Sequence, residues 1–178
     1  TVCVMCELGE ASSTGQCTAC SRGKVPTAEQ SQCQMCASGK EPAGNLSTCV
    51  NCPAGSASSV GQCQPCLAGE RPVETAAGPN NLCQTCEPGS VSADNIVCEI
   101  CALGTKPNSI VRPTLCEPCE AGKIRSEHTS GVACEVCPQG TTPNPDHTDC
   151  QGCPPGFASP TGQCAACSPG KIPDDARR

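Results

Sequence analysis

Cysteine carries nearly all the reactive chemistry of this 178-residue chain, and each of its 22 cysteines belongs to a Cys-x-x-Cys pair. The pairs begin at Cys3, Cys17, Cys33, Cys49, Cys63, Cys83, Cys98, Cys116, Cys134, Cys150 and Cys164. Two thiols at this spacing support three kinds of chemistry: structural disulfides, tetrahedral zinc–thiolate sites, and dithiol redox exchange. Redox exchange needs one activated pair on a βα scaffold, and eleven equivalent pairs without helical periodicity point to structure instead. Zinc sites would consume the pairs two at a time and leave one over, and no partner histidine recurs beside them. Disulfides are the expectation for a chain of this composition, with no catalytic residue, metal or cofactor.

The elements that hold these cysteines are short. A glycine follows every pair, three residues past its second cysteine: Gly9, Gly23, Gly39, Gly55, Gly69, Gly89, Gly104, Gly122, Gly140, Gly156 and Gly170. Such a glycine predicts a positive φ that turns the chain back after each pair. The repeating unit is therefore Cys-x-x-Cys-x-x-Gly, closed by a polar stretch whose length varies. With 18 Pro and 18 Gly, only short β-hairpins are expected, with Ile96-Val97 and Ile110-Val111 as candidate strands. From Cys49 onward a two-pair period emerges, giving modules at about 49–82, 83–115, 116–149 and 150–178. Ser-rich segments such as Gly55-Ser56-Ala57-Ser58 open these modules. Segments with proline three residues after the glycine follow them, as in Gly69-Glu70-Arg71-Pro72. Residues 1–178 read as one continuous tandem array, a segment of a longer chain.

Burial alone cannot stabilise such a chain. Aromatic residues make up 1% of it, with one Phe and no Trp or Tyr. Cysteine, at about 12%, exceeds the roughly 8–10% that marks a disulfide scaffold. Each disulfide closing a loop of this size contributes on the order of 3 kcal/mol. Bonds in that number persist in oxidising compartments, which places the chain outside the cell or on its surface. The net charge of −6, without a basic stripe or stacking aromatics, excludes nucleic acid and disfavours an anionic membrane. No apolar run suggests membrane insertion.

Spacing narrows the pairing without dictating it. The favoured ladder joins the second cysteine of one pair to the first of the next. It comprises Cys6–Cys17, Cys20–Cys33, Cys36–Cys49, Cys52–Cys63, Cys66–Cys83, Cys86–Cys98, Cys101–Cys116, Cys119–Cys134, Cys137–Cys150 and Cys153–Cys164. Cys3 and Cys167 are left to pair outside the segment. A crossed scheme within two-pair modules, such as Cys49–Cys63 with Cys52–Cys66, remains open.

Cys52-Pro53-Ala54-Gly55-Ser56, running on to Cys63-Gln64-Pro65-Cys66, resembles the ephrin-receptor-like cysteine-rich repeat. It is also similar to the single-disulfide half-module of tumour necrosis factor receptors, and the resemblance covers the whole chain. It implies an extracellular, non-catalytic array. Those families place an aromatic residue just after the glycine, and only Phe157 keeps it here, so their ligand-binding loops are not carried over. Similar arrays build protist surface coats and extracellular fibres.

Few residues stand outside the repeat. His128 and His147 are the only histidines, and Pro145-Asp146-His147-Thr148-Asp149 reads as a solvated turn rather than a metal cluster. The calcium signature of epidermal growth factor-like modules is absent. Asn45-Leu46-Ser47 is an N-glycosylation sequon. The expected fold is thus an elongated rod of small disulfide-rich repeats, each touching its sequence neighbours and little else. Its expected radius of gyration is roughly 25 Å or more, against about 16 Å for a compact domain of this length. The expected role is structural, in an extracellular fibre or coat that self-associates or joins other extracellular proteins and carries glycans. The alternative is the stalk or binding region of a surface receptor or antigen, using the Glu70–Leu82 insertion or the Ile110–Leu115 segment.

Overall fold

Ten two-stranded antiparallel hairpins succeed one another along the computed structural model, which describes residues 2–128 and 132–174. No helix occurs among the described residues. The hairpins divide between two compact units. One comprises Thr1–Thr85 with Asp94–Cys98, the other Cys86–Ala93 with Glu99–Arg178.

One local device builds every hairpin. In all eleven repeats the residue after the glycine donates its N–H to the carbonyl of the residue after the second cysteine. Examples are Lys24 N to Ser21 O at 3.1 Å and Thr141 N to Pro138 O at 3.1 Å. The glycine between them has φ near +80°, as at Gly23 (+79°) and Gly140 (+79°). This is the arrangement of a type II β-turn, whose third residue must take a positive φ. The chain leaving the turn forms the first strand, and the residues around the next Cys-x-x-Cys form the return strand. Lys24–Pro26 thus pairs with Cys33–Met35, with Val25 opposite Gln34. Cys36 N then donates to Gly23 O at 2.9 Å and seals the base of the hairpin.

Turn and seal fix the register, and this explains where strands do not form. Ile96-Val97 and Ile110-Val111 lie in the far loops, beyond the strands that their hairpins pair. Ile110 is 97% exposed, so its β-branched side chain packs on nothing that would hold it extended.

Sulfur fills the interior. Among the described residues, the buried apolar side chains are Ala11, Val25, Ala57, Val73 and Val91, three prolines, and six cysteines, each the second of its pair. Ala11, Val25, Ala57 and Val91 all stand two residues after a repeat glycine, on the first strand.

Stacking reaches further than the sequence suggests. In the first unit the glycine turn of one hairpin lies against the far loop of the hairpin two ahead. Gly9 meets Leu46, Gly23 meets Val60 and Gly61, Gly39 meets Pro79 and Asn80, and Gly55 meets Asp94 and Asn95. The second unit repeats the rule: Gly89 meets Val132, Gly104 meets Asp146 and His147, and Gly122 meets Thr161 and Gly162. Contact with sequence neighbours alone is therefore corrected to contact with first and second neighbours. At Gly23, Gly55 and Gly104 both surfaces are backbone, and a methyl group on Gly23 would stand 2.5 Å from the Val60 carbonyl, whereas Gly9 and Gly89 meet the side chains of Leu46 and Val132.

The alternation of serine and proline now has a cause. At four of the five hairpins where the third residue after the glycine is not proline, its N–H donates to the far loop of the next hairpin. Ser12 N reaches Gln30 O at 2.8 Å, Ser58 N reaches Asn80 O at 2.9 Å, Ser92 N reaches Pro113 O at 2.9 Å and Arg125 N reaches His147 O at 2.9 Å. The carbonyls of Ser58, Arg125 and Ser159 accept from Gly39, Gly104 and Gly140 of the preceding hairpin, each at 2.8 Å. Pro26, Pro42, Pro72, Pro107 and Pro143 occupy the same place in the other hairpins and have no N–H to give.

Candidate functional site

The disulfides form the most extensive side-chain feature of the chain. In the first unit Cys6–Cys17, Cys20–Cys33, Cys36–Cys49, Cys52–Cys63 and Cys66–Cys83 are bonded. The second unit holds Cys101–Cys116, Cys119–Cys134, Cys137–Cys150 and Cys153–Cys164. Cys86 and Cys98 are each disulfide-bonded as well. Cα separations fall between 5.4 Å for Cys66–Cys83 and 5.7 Å for Cys36–Cys49, within the ordinary range for the bond. A sulfur held this way is neither a nucleophile nor a metal ligand. No group of three or more potential metal ligands comes together among the described residues.

Cys3, exposed, and Cys167, half-buried, are the free thiols. Ellman's reagent applied to the unreduced 178-residue segment, without the outside partners expected for Cys3 and Cys167, should titrate two thiols, the exposed Cys3 first. Guanidinium should not raise that count. Four or more thiols on unfolding would refute the ladder.

The insertion from Glu70 to Leu82 is not a free loop. Strands Glu70–Thr75 and Gly78–Thr85 make it the longest hairpin, with a bulge between Gly78 and Leu82. Ser38 Oγ donates to Ala77 O at 2.9 Å and pins its tip to the third hairpin. Removing it would undo stacking as well as any recognition.

The Ile110–Leu115 segment borders a concavity of the second unit, a groove of about 650 Å³ lined by Pro107, Ile110, Pro113 and Val132. Ser109 Oγ accepts from Val111 N at 3.2 Å and holds the bend that exposes Ile110.

Polar contacts brace the neighbouring turns. Arg125, unremarked in the sequence, sends its guanidinium into the preceding glycine turn, donating to Cys101 O at 3.0 Å and Thr105 O at 2.9 Å. It stands where other repeats carry serine or proline, and superposing the repeats would have exposed it. Glu120 accepts from Lys106 and pairs with Lys123 at 3.5 Å. The hydrogen bond from Lys106 holds its carboxyl down to about 2. Both groups lie at the surface, so the pair adds little to stability.

His147 takes a positive φ of 56° in its turn. Its Nδ1 bonds Lys123 O at 2.8 Å, and Asn144 Oδ1 accepts from Thr148 N at 2.9 Å. In this turn Pro145, Asp146 and Asp149 stay exposed, while His147 and Thr148 are half-buried and His147 reaches the preceding hairpin.

Asn45 is exposed in the far loop of the third hairpin. Its Oδ1 accepts from Ser47 N at 3.2 Å and from Ser47 Oγ at 2.9 Å, an Asx-turn closed by the sequon's own hydroxyl.

No protein-family model matches this chain, and no curated protein matches it in sequence. By its structure it is a cysteine-rich array of ten disulfide-bonded hairpin units.

Proposed function

We propose that this chain is a non-catalytic structural component of the extracellular space, a disulfide-braced segment of a fibre or surface coat. One observation carries the reading: within each unit hairpins meet their first and second neighbours through hydrogen bonds and close contacts repeated at equivalent positions, a mode of packing that further hairpins can continue. Such contacts depend on glycine and main-chain groups rather than on a unique side-chain constellation. The likeness to ephrin-receptor-like repeats and tumour necrosis factor receptor half-modules agrees with it, and so does the chemistry of disulfides, which persist in oxidising compartments. Self-association and binding to other extracellular proteins are the partnerships proposed.

The test is electron microscopy of native, unreduced material from its source. Regular fibres or a lattice whose axial repeat matches stacked hairpins are the expected result. Separate particles bound to a distinct partner would sink the structural reading. That outcome would favour a receptor stalk or surface antigen, a second reading supported by the exposed Ile110 and Val111 beside the groove of the second unit.

A further inference from the structure

We propose that Asn45 is an N-glycan acceptor that stays competent after its hairpin has folded and its disulfide has closed. This rests on the extracellular reading above, because the transfer takes place in the secretory pathway. Asn45-Leu46-Ser47 occupies the loop between strands Lys40–Pro42 and Cys49–Asn51, a loop closed by Cys36–Cys49.

Three features of that loop matter. Leu46 takes a positive φ of 56°, which bends the tripeptide and brings the Leu46 side chain against Gly9. Asn45 on the outer side of the bend stays exposed. Ser47 gives both its N–H and its hydroxyl to Asn45 Oδ1, fixing which face of the carboxamide looks inward. Among the described residues nothing accepts a hydrogen bond from Asn45 Nδ2, the atom that must act as nucleophile.

The co-substrate class is an oligosaccharide linked to a lipid pyrophosphate. Nδ2 attacks the anomeric carbon of the first sugar, and an N–C bond forms as the C–O bond to the pyrophosphate breaks. The lipid pyrophosphate leaves with that electron pair, and one Nδ2 proton passes to a carboxylate base of the transferase. No electron is exchanged with an oxidant or reductant. The bend and the Ser47 bonds present Nδ2 outward without asking the hairpin to open, so the closed disulfide is no obstacle.

The full chain is secreted from a eukaryotic cell line, its oxidation is checked by thiol titration, and it is treated with peptide N-glycosidase. The expected result is a single downward mass step with conversion of Asn45 to Asp in the peptide map. The step should vanish in Asn45→Gln and Ser47→Ala and persist in Ser47→Thr. Secreted, oxidised protein without sugar at Asn45 would overturn the proposal and leave the extracellular reading intact. A chain that is neither secreted nor oxidised would overturn both.

Discussion

Reduction of the disulfides without denaturant is expected to turn the whole chain into an unfolded ensemble. The bonds close loops spanning 11 residues, as at Cys6–Cys17, to 17 residues at Cys66–Cys83. Each such closure removes on the order of 3 kcal/mol of unfolded-state entropy. Little else opposes that entropy. Among the described residues the buried apolar side chains apart from sulfur are two alanines, three valines and three prolines. Ordering a backbone costs about 1–2 kcal/mol per residue, which so few side chains cannot offset. Amide proton dispersion in NMR, followed during titration with a phosphine reductant, checks this. Collapse of the dispersion is the expected outcome, while prolonged incubation with a zinc chelator should leave the spectrum unchanged. Retention of native shifts after full reduction would mean that packing, not sulfur, holds the hairpins. Unfolding by the chelator would point to zinc–thiolate ligation of the pairs.

The sequence makes the hairpin legible but not the stack. A glycine at fixed offset from each cysteine pair is diagnostic because the third position of a type II turn excludes ordinary side chains. Everything local to a repeat follows from it. The contact between a hairpin and the second one along is hidden, because it is made mostly by backbone and otherwise by side chains of differing type, such as Leu46 and Val132, which leaves no side-chain periodicity to read. Only the triplets Gly15-Gln16-Cys17, Gly61-Gln62-Cys63 and Gly162-Gln163-Cys164 hint at it. Their glycines take positive φ at the far loops. Gln30, Leu46, Asn95 and His147 adopt the same conformation at far loops without being glycine, which hides the common geometry from any residue-type pattern. Ser and Pro after the turn glycine were visible as two flavours, but their meaning is a hydrogen bond to a neighbouring hairpin that only the folded chain reveals. The strand expectation at Ile96-Val97 failed for a related reason. Local β-propensity yields to a register already fixed by turn and disulfide.

Three alanine substitutions separate the cost of a turn from the cost of the stack. Gly15 and Gly61 occupy equivalent far-loop positions with φ of 86° and 70°. At Gly15 an added methyl would meet nothing within 4 Å, whereas at Gly61 it would run into the Gly23 carbonyl and Cα. Gly15→Ala is therefore expected to cost only the left-handed penalty, about 1–2 kcal/mol. Gly61→Ala should add an overpacking cost of about 1–3 kcal/mol, because neither backbone can move without disturbing its own disulfide-closed hairpin. Gly23→Ala attacks the same contact from the other side, its methyl falling 2.5 Å from the Val60 carbonyl. Guanidinium unfolding with disulfides intact gives the stability changes. Hydrogen exchange at the Lys24–Pro26 and Ser56–Ala57 strands shows where protection is lost. The expected signature is loss at both strands in Gly61→Ala and Gly23→Ala, and at neither in Gly15→Ala. Combining Gly23→Ala with Gly61→Ala should cost less than the two effects added, since the first substitution already separates the surfaces on which the second would act. Equal destabilisation by Gly15→Ala and Gly61→Ala, with strict additivity of the pair, would remove second-neighbour stacking as a source of cohesion. Each hairpin would then stand on its own disulfide.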